Sequence, residues 1–122
     1  MEEHIIFNTE DFEQNKIYGI LSYFGILFIV PLIAAKGSQY AKFHANQGLL
    51  LFITNLILQV FGRVLTFVLN IATFGLLYDV LSALVSLLIA AIVITFMVIG
   101  IKNAVSGEPN TLPIMGNYSL LK

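Results

Sequence analysis

The sequence contains no cysteine, and only 11% of its 122 residues are charged. Without cysteine there is no disulfide framework, and two histidines alone make no recognisable zinc site. The formal net charge of −1 provides no basic surface for nucleic acid, so we expect no nucleic-acid partner. These absences exclude the small disulfide-linked, zinc-bound and nucleic-acid-binding classes.

Motifs for enzyme chemistry are missing as well. No pair of acidic residues lies inside the apolar segments, no order of serine, histidine and aspartate suggests a triad, and no glycine-rich phosphate loop occurs. His44 has no acidic residue or second histidine near it in the sequence, which makes it a poor metal ligand. We therefore predict a non-enzymatic protein without a cofactor.

Hydrophobic residues are abundant instead. They form 58% of the chain, and the mean hydropathy is +0.91, which is far too apolar for an ordinary soluble domain of this size. The first sixteen residues lack the positive region of a signal peptide, so we expect them to stay on the mature chain. The composition predicts a multi-pass protein of the bacterial cytoplasmic membrane.

Three apolar segments predict the membrane spans, at residues 17–35, 48–70 and 80–101. The first has about 19 residues, which at roughly 1.5 Å per residue cover about 28 Å, close to the thickness of the hydrocarbon layer. Pro31 lies in its last turns. Residues 8–16 are expected to form a short interfacial helix and residues 103–122 a tail. We predict a single all-α integral membrane domain, a compact bundle of three helices.

A four-span arrangement is the alternative, because residues 48–78 could form two short helices that break near Gly62 and Arg63. Lysine and arginine in short loops mark the cytoplasmic side of a membrane. Three spans put Lys16 alone on one face and four lysines on the other, Lys36, Lys42, Lys102 and Lys122. Four spans remove this bias. The charges favour three spans, with the N-terminus outside and the C-terminus in the cytoplasm.

Polar residues recur along one face of the second span. Their spacing of four, four, three and four residues keeps them within a sector of roughly 80° on a helix, and they are Asn55, Gln59, Arg63, Thr66 and Asn70. Extending the helix backwards adds His44 and Gly48 to this face. Because unpaired polar groups cost free energy in lipid, the face should meet other helices, a second copy of the chain, or water. It is the candidate functional face.

Two further predictions concern contacts between the second and third spans. Arg63 is a functional candidate because an arginine within a span is costly, although its side chain could also reach the interface. Asp79 falls at the same end, so we expect an ion pair between Arg63 and Asp79. Small residues four apart allow close helix packing on the third span, at Ser82, Ser86 and Ala90.

One motif carries a family resemblance. The segment "AAKGSQYAKFHANQGLLLF", preceded by "ILSYFGILFIVPLI" and followed later by "GEPNTLPIMG", resembles a family of small prokaryotic membrane proteins similar to the twenty-kilodalton Tic subunit of chloroplast protein import. The resemblance covers residues 17–114. Its most specific part is a string of five residues, Phe43, His44, Ala45, Asn46 and Gln47.

The resemblance implies a helical membrane module of three or four spans, with a role in protein or peptide translocation and no catalytic residues. We therefore predict a subunit or scaffold of a translocation or transport assembly, with copies of itself or other membrane subunits as partners. Some relatives look linked to bacteriocin production or immunity, so a peptide-immunity protein with a peptide partner is one alternative. A self-assembled channel lined by the polar face is another.

Overall fold

The chain is helical throughout the part that the structure describes, a computed structural model covering residues 8–107 and Leu112. Four α-helices and a short 3₁₀ helix follow one another, and these residues contain no strand. The elements are α1 (Thr9–Leu21), the 3₁₀ helix (Gly25–Phe28), α2 (Ile29–Ala34), α3 (Gln39–Ala72) and α4 (Tyr78–Ser106). The predicted all-α class is confirmed.

Helices α3 and α4 are long and apolar enough to cross a membrane, and they contain the second and third predicted spans. Helix α3 begins well before Gly48, because the Ser38 side chain accepts a hydrogen bond from the Ala41 amide and caps the first turn. Helix α3 then runs unbroken through Gly62 and Arg63. The alternative of two short helices with a break there is wrong.

The first predicted span is divided, since residues 17–35 do not form one helix. Helix α1 ends at Leu21, and Gly25 adopts a left-handed conformation with φ of +60°, which glycine tolerates far better than other residues. Pro31 therefore lies in the first turn of α2 and not in the last turns of a long helix. Amides in a first turn have no partner within the helix, so proline is tolerated there.

The divided segment forms a helical hairpin, which we call the N-terminal hairpin (residues 9–35). Helix α1 is the first arm of the hairpin and runs parallel to the first half of α3. Asp11 of α1 accepts a hydrogen bond from the amide of Tyr40, and Ser22, just after α1, lies against Gly48. The predicted interfacial segment, residues 8–16, is the first part of this entering helix. Its N-cap is Asn8, whose side chain accepts a hydrogen bond from the amide of Glu10 at 2.8 Å.

The hairpin then returns to the end where it began. The ring of Phe28 lies 5.8 Å from the ring of Phe52, and the carbonyl of Ala35 accepts a hydrogen bond from the amide of Ser38 just before α3. A continuous span would instead have carried the chain to the other end of α3. The hairpin thus covers only the first half of α3.

Two glycines allow this close packing. A Cβ atom on Gly48 would overlap the backbone carbonyl of Ser22, and one on Gly100 of α4 would overlap the ring of Tyr23. Both glycines therefore permit the hairpin to approach α3 and α4 more closely than any larger residue would.

The described ends of the chain lie at one end of the bundle. Phe12 near the start of α1 faces Gly107, the left-handed C-cap of α4, and the turn between α2 and α3 is at the same end. We call this the lysine end, because it carries Lys16, Lys36, Lys42 and Lys102. The turn between α3 and α4, residues 73–77, forms the opposite end. The predicted tail begins later than expected, since α4 continues to Ser106; Lys122 and most of the tail lie outside the described residues.

Candidate functional site

The structure divides the predicted polar face of α3 into two regions. The buried polar cluster lies at the lysine end. It consists of five buried residues, Tyr23, Ser38, Tyr40, His44 and Gln47, and the half-buried Asp11 that bonds to them. The α3–α4 cleft lies toward the opposite end and contains four of the predicted residues, Gln59, Arg63, Thr66 and Asn70. His44 is thus separated from Arg63, although both were predicted to lie on one functional face.

Asp11 joins the hairpin to the start of α3. Its carboxylate accepts a short hydrogen bond from the hydroxyl of Ser38, one from the amide of Tyr40 at 3.1 Å and one from the side chain of Asn15 at 2.8 Å. Burial raises the pKa of the Asp11 carboxyl, but these hydrogen bonds outweigh burial and hold the pKa below its ordinary value of 3.8. The folded chain therefore favours the charged carboxylate.

Tyr40 joins the start of α3 to the end of α4. Its hydroxyl donates a hydrogen bond to the carbonyl of Ala104 at 2.7 Å, and its ring packs edge-on against His44 at 4.8 Å and Phe12 at 5.3 Å. The side chain is fully buried. Its polar atom is satisfied by the backbone of another helix, as is usual for a buried tyrosine.

His44 lies at the centre of the cluster. Its Nδ1 atom is 2.6 Å from the hydroxyl of Tyr23, and both side chains are buried. The ring also packs edge-on against Phe43 at 5.1 Å. These contacts tie the turn of the hairpin to α3, so His44 has a structural position inside the bundle.

Four of the five motif residues lie in the interior of the bundle, and Phe43 is half-buried. Ala45, Asn46 and Gln47 are all buried, as is His44. The side-chain oxygen of Gln47 accepts a hydrogen bond from the amide of Leu112 at 2.8 Å, which attaches a residue beyond α4 to this core. The motif therefore determines packing between the hairpin, α3 and Leu112.

The α3–α4 cleft has a volume of about 370 Å³ and is open to the surroundings. Helix α4 contributes Tyr78, Ser82 and Ser86 to its polar wall, opposite the four residues of α3. Its apolar wall is formed by Phe67, Val85 and Ile89. Asn55 does not line the cleft; it is close enough to Gln59 for a weak hydrogen bond, at 3.5 Å.

Gly62 of α3 lies against α4. A Cβ atom there would lie 2.7 Å from the Cδ1 atom of Ile89, and the hydroxyl of Thr66 donates to the Gly62 carbonyl at 2.8 Å. Of the small residues predicted to allow close packing, Ser82 and Ser86 line the same cleft and Ala90 is exposed, so their role in packing stays a prediction. Glycine on α3, facing branched residues on α4, makes the close approach.

Arg63 is exposed on the wall of the cleft, and Asp79 is exposed but does not line it. Within residues 8–107 the two side chains form no ion pair, so their pairing stays a prediction. Nearby, the side-chain oxygen of Asn70 is buried and has no hydrogen-bond partner within the described residues. The same part of the chain contains no group of three acidic, histidine or cysteine side chains that could hold a metal ion.

Several residues of both regions have no signal in the local sequence. Asp11 and Ser38 belong to the buried polar cluster, but nothing in their local sequence indicates that they meet across 27 positions. Tyr78 completes the cleft from the start of α4. Only the cap position of Ser38, directly before a long helix, was visible in the sequence.

Comparison with known proteins gives one family and one curated relative. A family model described as the magnetosome magnetite crystal formation protein family matches residues 14–119. The magnetosome protein MamF of Paramagnetospirillum magneticum is 41% identical over 54 residues, which are 42% of this chain and 49% of the relative. The match therefore spans about half the length of that relative. No solved structure matches.

These findings correct the resemblance drawn from the five-residue motif. The chain does not fall in the family of the chloroplast Tic subunit, and the predicted role in protein translocation is wrong. The alternatives of a peptide-immunity protein and a self-assembled channel receive no support either. Apolar spans are common to many membrane proteins, and the short motif reflects packing, so neither discriminates between families. Because the family model matches residues 14–119 of a chain of 122 residues, the chain belongs to the magnetosome magnetite crystal formation protein family.

Proposed function

We propose that this chain acts in magnetite crystal formation as a non-enzymatic component of the magnetosome membrane. The observation that carries the proposal is the family match over residues 14–119, which includes the turn of the hairpin, α3 and α4. Iron is then the material of the crystal, magnetite being an iron oxide, and not a resident cofactor of the chain.

The buried polar cluster supports a role as a fixed membrane element. Its polar atoms bond to one another and to the backbone, as in the contacts of Asp11 with Ser38 and of Tyr40 with Ala104. Buried networks of this kind rigidify a structure when their members are satisfied. Such a cluster holds the N-terminal hairpin against α3 and α4 and gives the protein a defined shape in the membrane.

We also propose a topology with two membrane-crossing helices, α3 and α4, and an N-terminal hairpin that enters and leaves on one side. All four described lysines lie at the lysine end, which the positive-inside rule assigns to the cytoplasm. In this arrangement the start of α1 and the end of α4 are both cytoplasmic. The turn at residues 73–77 is on the opposite side. Association with further copies of the chain stays a prediction.

Cysteine labelling tests this topology directly, because the chain has no cysteine of its own. Single variants Glu13→Cys, Lys36→Cys and Leu76→Cys replace exposed residues. In bacterial spheroplasts, a membrane-impermeant maleimide should label Leu76→Cys at once, and the other two only after lysis. Residue 13 is decisive, since a single span over residues 17–35 would put it on the outside. Labelling of Glu13→Cys in intact spheroplasts would refute the hairpin topology.

The proposed function is tested by complementation in a magnetosome-forming bacterium that lacks its own MamF. Expression of this chain should restore the number and size of magnetite crystals, measured by electron microscopy. A matched variant, Gly48→Leu, should fail, because a side chain there would overlap the carbonyl of Ser22. Normal accumulation of the chain in the magnetosome membrane without any change in the crystals would contradict the proposal.

A further inference from the structure

The α3–α4 cleft carries a positive charge without a matching negative one. Arg63 is on its wall, and none of the described residues that line the cleft is acidic. An arginine within a membrane-crossing helix is costly, and such residues pair with another group or mark a functional site. An anionic ligand would supply the missing partner.

The remaining polar groups of the cleft fit an oxyanion. Gln59 and Asn70 offer amide donors, and Ser82 and Ser86 offer hydroxyl donors, in the same cleft as Arg63. A guanidinium binds two oxygens of a phosphate at once, which a point charge does not. The cleft volume of about 370 Å³ is within the usual range for small-ligand sites.

The position of the cleft suits the headgroup region of a bilayer. Arg63 is seven residues before Asn70, or about 10 Å along a helix at 1.5 Å per residue, and Asn70 is near the end of α3. Arginine side chains at such a depth reach toward the interface. Phe67 on the wall of the cleft and the exposed Val64 and Val68 of α3 offer apolar surface for acyl chains.

We propose that the α3–α4 cleft binds a phosphate oxyanion, with Arg63 as its charged contact. The source is either the headgroup of an anionic phospholipid or free phosphate, which share this chemistry. The inference does not depend on the role in magnetite formation, since it follows from the cleft alone.

Binding to the full chain in a neutral detergent tests the inference. Phosphatidylglycerol is titrated and followed by native mass spectrometry, and inorganic phosphate is titrated separately by calorimetry. Arg63→Gln should weaken the binding of at least one probe about tenfold or more, because a charge-assisted hydrogen bond is lost. Lys102→Gln is the matched control: it removes the same charge from an exposed position at the lysine end and should change nothing.

The outcomes separate the two sources. Loss of phosphatidylglycerol binding in Arg63→Gln, with no binding of inorganic phosphate, identifies a lipid headgroup; Arg63-dependent binding of inorganic phosphate identifies the free ion. Equal weakening by Arg63→Gln and Lys102→Gln would overturn the inference, and so would binding that neither variant changes. If Arg63→Gln fails to fold, Arg63→Lys keeps the charge without the paired geometry and should still weaken binding severalfold, whereas wild-type affinity would overturn the inference.

Discussion

The buried polar cluster and the α3–α4 cleft both include residues of the polar face of α3, His44 in the cluster and Arg63 in the cleft, yet their polar groups have different partners. In the cluster, Tyr40 and Asp11 bond to other parts of the chain. In the cleft, Arg63 is exposed and faces no acidic residue among those that line it. The difference arises from coverage, because the N-terminal hairpin packs on the first half of α3 only.

The polar face of α3 thus has two roles, packing where the hairpin covers it and binding where it is uncovered. Covered polar groups must find partners within the protein, because a buried unpaired group costs about 1–3 kcal/mol. Polar groups that the hairpin leaves uncovered can instead bond to a ligand, a lipid or another protein. We therefore expect substitutions in the cluster to change stability, and substitutions in the cleft to change binding.

The largest effect is expected at Gly48, where the hairpin meets α3. Gly48→Ala introduces a Cβ atom that would overlap the backbone carbonyl of Ser22, so one of the two helices must move. Overpacking of this kind costs about 1–3 kcal/mol, more than alanine gains as a better helix former. The free energy of unfolding in detergent, from a denaturant titration, measures the loss.

Gly37→Ala is the control for this prediction. Gly37 precedes α3 in the same part of the chain, and nothing lies within 4 Å of a Cβ atom added there. Its unfolding free energy should stay within about 0.5 kcal/mol of the wild type. Equal stability of the two variants would show that the hairpin is not packed against α3 as described.

A matched serine pair compares the two regions directly. Ser38 donates to Asp11 and accepts from the Ala41 amide, whereas Ser86 lines the open cleft. Ser38→Ala should cost about 1–2 kcal/mol through loss of the helix cap, and Ser86→Ala should change stability by less than about 0.5 kcal/mol. Unfolding titrations of both variants check this. A larger loss for Ser86→Ala would reverse the roles assigned to the two regions.

The long helices could be predicted from the sequence, but the hairpin could not. Residues 48–70 and 80–101 are apolar over the length of a membrane span, and they lie within helices α3 and α4. Residues 17–35 have the same length and apolarity as a span, so local pattern predicts one. The chain turns instead at Tyr23 to Gly25, where a left-handed glycine and the contact of Tyr23 with His44 stabilise the bend. That contact joins residues 21 positions apart and has no local signal.

The candidate site was predicted in part. Helical spacing brought Gln59, Arg63, Thr66 and Asn70 together, and all four line the cleft. The same spacing also included His44, which the hairpin buries. Periodicity identifies the face of a helix, but what covers each part of that face depends on the tertiary fold. The predicted family is also wrong, because the motif at Phe43 to Gln47 reflects packing and not a specific activity.

The smallest effect is expected from the charge of Asp11, and it depends on pH. Hydrogen bonds lower the pKa of Asp11 in the folded chain below 3.8, against the opposing effect of burial. A carboxylate with a lowered pKa adds stability that is complete above its unfolded pKa and is lost as the pH falls through its folded pKa. The stability difference between wild type and Asp11→Asn should therefore be constant above about pH 5 and shrink in acid below 3.8.

Unfolding titrations across this pH range measure the stability difference. A difference for Asp11→Asn that stays constant down to about pH 2 would mean that the carboxylate does not hold the hairpin to α3.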